Sequence, residues 1–205
     1  MNEPAQGASV QVVLASSSPR RSELLSKLGI EFEIRSADID ETPFPGELPE
    51  ALLVRLATQK AKAVSALLEG PAVVLGADTI VVCDEKILGK PADESDAREM
   101  LRLLSDRTHA ASTGIAVIGV DGQVTTAMST TLVTMHKISE SDIDWYLATG
   151  EPFDKAGSYA LQGHGGLFVS AINGNMHNVI GLPLDATRQL LVAAGVSIAG
   201  SGSGQ

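Results

Sequence analysis

The chain reads as a mixed α/β protein: a central sheet, partly antiparallel, flanked by helices. Three observations predict this. Apolar β-type runs alternate with helix-period segments over the first hundred residues. Two β-rich stretches follow, about 108–119 and 123–135, and Asp121-Gly122 between them is an antiparallel hairpin signal. Apolar residues at 44% and charged residues at 20% over 205 positions suit one domain, or two small lobes on one core, and argue against disorder.

Taken in order, VQVVLA at 10–15 is a buried strand. SSSPRRSELLSKLG carries helix signals: Ser18 as N-cap, Pro19 at the first helical position, Gly29 at the end. FEIRSA is a second strand, and the acid- and proline-bearing stretch 37–48 is a loop. A helix spans about 49–68 and stops before Gly70-Pro71. AVVLGADTIVVCD is a strand-like run interrupted by Gly76, Asp78 and Thr79, and GKPADESDAREMLRLLS leads into another helix. After the hairpin, SESDIDWYLATG is a short helix, the glycine-rich stretch 151–183 is strands and tight turns, and PLDATRQLLVAAG is the last helix. Residues 1–9 read as a disordered segment, 10–197 as the folded domain and 198–205 as a flexible Gly/Ser tail.

Composition narrows the function. A net charge of −10 disfavours a nucleic-acid polymer or an anionic membrane as partner, and 3% aromatic residues disfavour stacking platforms for single strands. One cysteine, Cys83, leaves no internal disulfide or multi-cysteine zinc site and reads as a small core hydrophobe. The four histidines are scattered and read as surface residues rather than metal ligands. No apolar leader or membrane-length run appears, so a soluble cytoplasmic protein is expected. No Walker loop, dinucleotide fingerprint, HExxH or GxSxG is present.

Five constellations remain. Arg20 and Arg21 sit in the first turn after SSSP, including Ser16, where the helix dipole is already positive; a bound phosphate resolves that conflict, an exposed arginine pair is the bland alternative. Lys60 lies on the apolar stripe Leu53, Leu56, Ala57, Val64, Leu67, so its ammonium either snorkels out or points into a cleft. Asp78 in a hydrophobic run needs partners, unless Gly76 marks a turn there. Asp38, Asp40 and Glu41 either hold Mg²⁺ with a substrate or are simply solvated. In DKAGSYALQGHGG, Lys155 and Gln162 flank close-spaced glycines, and Gln162 can make two hydrogen bonds to a base edge, although tight turns explain the glycines equally well. Together they point to a triphosphate with a discriminated head group.

LASSSPRRSELL, ADIDET, RLATQKAKAV, GADTIVV, ILGKP, EPFDKAGSYALQG and NVIGLPL occur in the order and spacing of the Maf family of nucleoside triphosphate pyrophosphatases, which the chain resembles over about residues 10–195. The resemblance implies two lobes around a deep cleft, a homodimer in many members, and cleavage of a nucleoside triphosphate to the monophosphate and pyrophosphate with a divalent cation, Mg²⁺ or Mn²⁺. It implies Asp78 as catalytic proton acceptor and Glu41 as an acid placing metal or water, the two being the candidate metal ligands. It implies Ser16, Arg20, Arg21, Lys60 and Lys90 as phosphate-handling residues, and Arg20, Thr79 and Gln162 as residues of substrate choice. SYALQG, with Tyr159 and Gln162, is similar to the dTTP- and UTP-directed branch, although Ala160-Leu161 stands where Gly-Ile is more usual. The 7-methyl-GTP branch usually carries a glutamate near Gln162. A broader-range pyrophosphatase, and a nucleotide-sensing inhibitor of septum formation, are the alternatives the family offers.

Overall fold

The computed structural model describes residues 10–36 and 38–199. The expected disordered segment 1–9, Ala37 and the end of the expected tail, 200–205, lie outside the described residues. The elements are β1 (Gln11–Ala15), α1 (Pro19–Ser26), β2 (Glu33–Arg35), α2 (Pro49–Ser65), β3 (Ala72–Cys83), β4 (Lys86–Leu88), α3 (Glu94–Leu104), β5 (Thr108–Ile118), β6 (Val124–Met135), α4 (Glu140–Ala148), β7 (Val169–Asn173), α5 (Met176–Ile180) and α6 (Leu184–Ala193). One seven-stranded mixed sheet runs β2–β1–β3–β5–β6–β7, with β4 paired to the far end of β3. β1 is parallel to β2 and β3; the remaining pairs are antiparallel, as the hairpin signal requires.

β3 is the axis of the molecule. It runs unbroken through Gly76–Thr79, so that segment is strand and not turn. Side chains alternate along a strand. Val74 joins the core under α2 with Ala57, Ala61 and Val64, while Val73, Leu75 and Ala77 join the opposite core with Leu24, Leu25, Leu182 and Leu191. A third core, around Leu101, Leu104, Ile143, Tyr146 and Phe168, covers the far half of β3, so two lobes meet along this strand. α2 crosses the sheet at two glycines because nothing larger fits: a Cβ at Gly76 would stand 2.2 Å from the Ala57 carbonyl oxygen, and one at Gly114 would stand 2.9 Å from that of Leu53. Asp78 pairs with Gly114 in the β3–β5 register, so this close approach brings α2 over Asp78.

Several elements depart from the sequence reading. α2 ends at Ser65, and Leu67, assigned to its apolar stripe, lies beyond the helix and is 63% exposed; Ala61 takes its place in the core. Segment 151–183 holds three 3₁₀ turns, one strand and a short helix, α5, capped by the Asn175 side chain. β4 is a further strand, formed because Asp84 and Glu85 both take positive φ and close a tight hairpin. His109 is not a surface histidine: it is 2% exposed on β5. Ile198, at the start of the expected tail, packs in the core with Leu191 and Val196.

Candidate active site

Between the lobes lies a cleft of about 890 Å³, the size of a nucleotide-type pocket. All ten sequence-derived candidates line it: Ser16, Arg20, Arg21, Glu41, Lys60, Asp78, Thr79, Lys90, Lys155 and Gln162. Five cations face four acids there (Asp38 and Asp154 being the others), so the cleft is locally cationic in a chain of net charge −10.

Its floor is a lysine between two carboxylates. Lys60 Nζ donates to Asp78 Oδ1 at 2.5 Å and contacts Glu41 Oε1 at 2.7 Å. The helical stripe therefore carries Lys60 inward, where its ammonium compensates a carboxylate only 7% exposed on an interior strand. Glu41 comes from the loop, with its side chain half exposed. Burial pulls the Glu41 carboxyl upward, but the Lys60 hydrogen bond and the charges of Lys60, Lys90 and Arg21 outweigh it and hold the group below the ordinary range. Among the described residues, Asp78 Oδ2 receives no hydrogen bond and is left for the cleft.

Thr79, the next residue on β3, faces the other way and serves Arg21. Arg21 Nη2 donates to Thr79 Oγ1 at 3.1 Å, Nη1 to Ser16 Oγ at 3.3 Å and Nε to the Gly181 carbonyl at 2.9 Å. Thr113 Oγ1 donates to the Asn178 carbonyl, so the 2.9 Å contact between the two threonines runs from Thr79 to Thr113. Asn178 is itself fully buried and donates to the Ala111 carbonyl and Thr131 Oγ1. Arg21 thus belongs to the frame of the site, whereas among the described residues Arg20 has only a 3.7 Å contact, with Asp154. Burial lowers the Arg21 pKa, Asp78 opposes it, and the group stays cationic.

α1 starts with neither a side-chain cap nor a first-turn acid, whereas the other uncapped helices, α2 and α6, carry Glu50 and Asp185 there. α3, α4 and α5 are capped by the side chains of Asp93, Ser139 and Asn175. Ser18 occupies the N-cap of α1 without a side-chain bond, and no acid lies in the first turn. Ser16 Oγ accepts from Ser18 N and Arg21, leaving its hydrogen to donate into the cleft. This end of the cleft is rich in donors and poor in acceptors, which is what an anion needs.

A further wall is the turn 159–166. Tyr146 OH accepts from Ala160 N at 3.1 Å and donates to Glu151 Oε1 at 2.8 Å. Glu151 also accepts from the backbone of His164 and Gly165, both at 3.0 Å. Burial alone would raise the Glu151 carboxyl; these bonds override it and hold it at about 2. Gln162 sits exposed between those anchors, with no hydrogen bond to the described residues. Tyr159 presents to the cleft with its hydroxyl already engaged, 2.8 Å from His109 Nε2. Lys155 binds Asp154 and the Glu151 carbonyl. Asn178 and Thr113 escaped the sequence reading because their partners lie across the fold, and Tyr146 and Glu151, only five residues apart, because neither breaks a local rule; only the quoted runs EPFDKAG and NVIGLPL pointed to this neighbourhood.

The family model described as "Maf-like protein" matches residues 11–194. A protein of Symbiobacterium thermophilum named dTTP/UTP pyrophosphatase is 46% identical over 95% of this chain and 99% of its own. One of Shewanella sp. (strain MR-7) with the same name is 49% identical over 91% of this chain and 100% of its own. The likeness to the solved Staphylococcus aureus Ham1 protein is partial: 17% identity over 61% of this chain and 71% of that one, with a TM-score of 0.45.

Proposed function

From the premise that this chain belongs to the Maf-like family, we propose that it hydrolyses dTTP and UTP to the nucleoside monophosphate and pyrophosphate. The observation that carries this reading is the Asp78–Lys60–Glu41 cluster on the floor of a cleft that also gathers Arg20, Arg21, Lys90 and the Gln162 turn.

The triphosphate lies across the start of α1, where Ser16 and Arg20 donate to it, and Lys60 and Lys90 neutralise it. Arg21 is oriented by Thr79, Ser16 and Gly181 before substrate arrives, so little reorganisation remains for the reaction itself. Asp78 Oδ2 accepts a proton from the water that attacks the α-phosphorus. The bond from that phosphorus to the α,β-bridging oxygen breaks, and pyrophosphate leaves with the charge that the arginines and lysines balance. Asp78 is the base in this reading because it is fixed on an interior strand, while Glu41 is half exposed on a loop. Gln162 reads the base edge: its amide both donates and accepts, which suits uracil or thymine.

The residues fit a divalent cation shared with the substrate. Among the described residues no cluster of three or more His, Cys, Asp or Glu could hold a metal alone. Two carboxylates converge on one point, however, and Mg²⁺ commonly takes one or two carboxylates and completes its shell with phosphate oxygens and water. Asp78 and Glu41 would hold it, and it would supply charge neutralisation on the phosphates.

Pyrophosphate release, followed with Mg²⁺ over dTTP, UTP, CTP, the purine triphosphates and 7-methyl-GTP, tests the reading. Release from dTTP and UTP above the others is expected. Nucleotide binding with no release from any of them would contradict an enzyme.

A further inference from the structure

The acid loop that delivers Glu41 has almost no apolar anchor. Phe44 and Leu48 are 59% and 67% exposed, and only Ile39 packs at the edge of the core, against the cluster of Leu52, Leu53, Leu56 and Ile80. Beside the Lys60–Glu41 contact, one further side chain of α2 holds the loop. Arg55 Nε and Nη2 donate to the two carboxylate oxygens of Glu47, both at 2.7 Å, and Nη2 also donates to the Thr42 carbonyl at 3.1 Å. Its guanidinium lies 4.1 Å from the centre of the Phe44 ring. Gln59, one turn further along α2, accepts from Nη1 at 3.1 Å and fixes the fork on the helix. Glu47 in turn accepts from Phe44 N at 3.0 Å, closing a turn in which Pro45 and Gly46 take the central places and Gly46 has φ of +74°. Residues 42–47 are therefore wrapped around one guanidinium, and Thr42, whose carbonyl it holds, follows Glu41 directly.

Neither Arg55 nor Glu47 is among the residues lining the cleft, so neither is placed to touch substrate. Yet Lys60 stands on the same helix and meets Glu41 at 2.7 Å. α2 thus fixes both halves of that pair, Lys60 directly and Glu41 through the Arg55 fork. A bidentate, stacked guanidinium is the one side chain that makes all these contacts at once, and lysine does not replace it.

We propose that Arg55 is a positioning residue for the hydrolytic step, acting through Glu41 by clasping loop 42–47; the inference rests on the reading of Glu41 as a functional acid given above. Loss of the clasp lets the loop drift, and displacements of about 1 Å at a reacting group cost roughly 10- to 100-fold in rate.

The test is a double-mutant cycle on kcat for dTTP, with KM, thermal unfolding and amide exchange of residues 40–47 measured alongside. Arg55→Ala is expected to lower kcat roughly 10- to 100-fold, to speed exchange in 40–47 and to leave a cooperative unfolding transition. Arg55→Lys, which keeps the charge, and Glu47→Gln, which keeps the arginine, should each lower kcat in the same direction. In a Glu41→Gln background, Arg55→Ala should cost no more than about threefold further, since coupled residues are non-additive. Additive losses, or Arg55→Ala at the wild-type kcat, would overturn the positioning claim alone. Glu41→Gln at the wild-type kcat would overturn it together with the reading of Glu41.

Discussion

The two walls of the cleft are held by opposite means. The wall that carries Glu41 is an exposed loop fastened by side chains reaching across from α2. The wall that carries Gln162 is a turn whose backbone N–H groups are bound by a buried tyrosine and a largely buried carboxylate, Tyr146 and Glu151. Backbone anchoring holds a turn in one shape whatever its side chains do, which would suit the base-reading role proposed for Gln162. Side-chain anchoring ties the other wall to α2, so that Glu41 and Lys60 are placed by one helix. Between them β3 is common ground: Asp78 faces the acid loop and Thr79 faces the arginine frame.

Four substitutions probe this contrast. Asp78→Asn has the largest effect: it removes the base and should lower kcat by roughly 10²- to 10⁴-fold while the protein stays folded, as stopped or continuous pyrophosphate assays would show. Glu151→Ala strikes the other wall. It strands Tyr146 OH and two backbone N–H groups, and should cost roughly 3–5 kcal/mol in denaturant unfolding and loosen base selectivity.

The third change concerns acid. Burial pushes His109 down to about 4 from its ordinary 6.5, so folding favours the neutral ring. Its contribution is complete above pH 6.5 and is lost as pH falls toward 4, a fall of about 3 kcal/mol over that window. Glu47 is held at about 2, chiefly by its hydrogen bonds to Arg55, and Glu151 at the same level. Their contributions persist until pH drops below the ordinary glutamate range and through 2. The stability that burial of a neutral His109 contributes should therefore be lost at a pH where the clasp on the acid loop is intact. Unfolding free energies measured from pH 7 to 4.5 should decline in the parent and flatten in His109→Gln.

The smallest effect on base preference is expected from Gly76→Ala. Its Cβ would stand 2.2 Å from the Ala57 carbonyl oxygen, so α2 must shift with Lys60 and Arg55 together, at about 3 kcal/mol or more of stability. kcat should fall while the preference among bases is kept.

Much of this was legible in the sequence, and the boundary of legibility has a physical cause. Local rules placed β1, α1, α2 and the β5–β6 hairpin, because a strand period, a proline at N1 or an Asp-Gly turn is written within a few residues. The oddities that marked the site were local conflicts: two arginines at a positive helix end, a lysine on an apolar stripe, an acid in a strand. Each is resolved by a partner the cleft provides. The frame was not legible. Arg55 meets Glu47 eight residues away around a loop, Arg21 meets Gly181 across 160 residues, and Glu151 looks like any acid before a proline. The short helix α5 was hidden because its cap, Asn175, follows Gly174 in a segment that reads as turns.

The central claim is that one wall performs the chemistry and the other chooses the base. The most direct measurement is kcat/KM for dTTP and for dCTP in the parent, in Asp78→Asn and in Gln162→Glu. Asp78→Asn should lower both values by the same factor and leave their ratio unchanged. Gln162→Glu should change the ratio, because a charged acceptor replaces an amide that both donates and accepts. A shift of the ratio in Asp78→Asn, or an unchanged ratio in Gln162→Glu, would contradict the division.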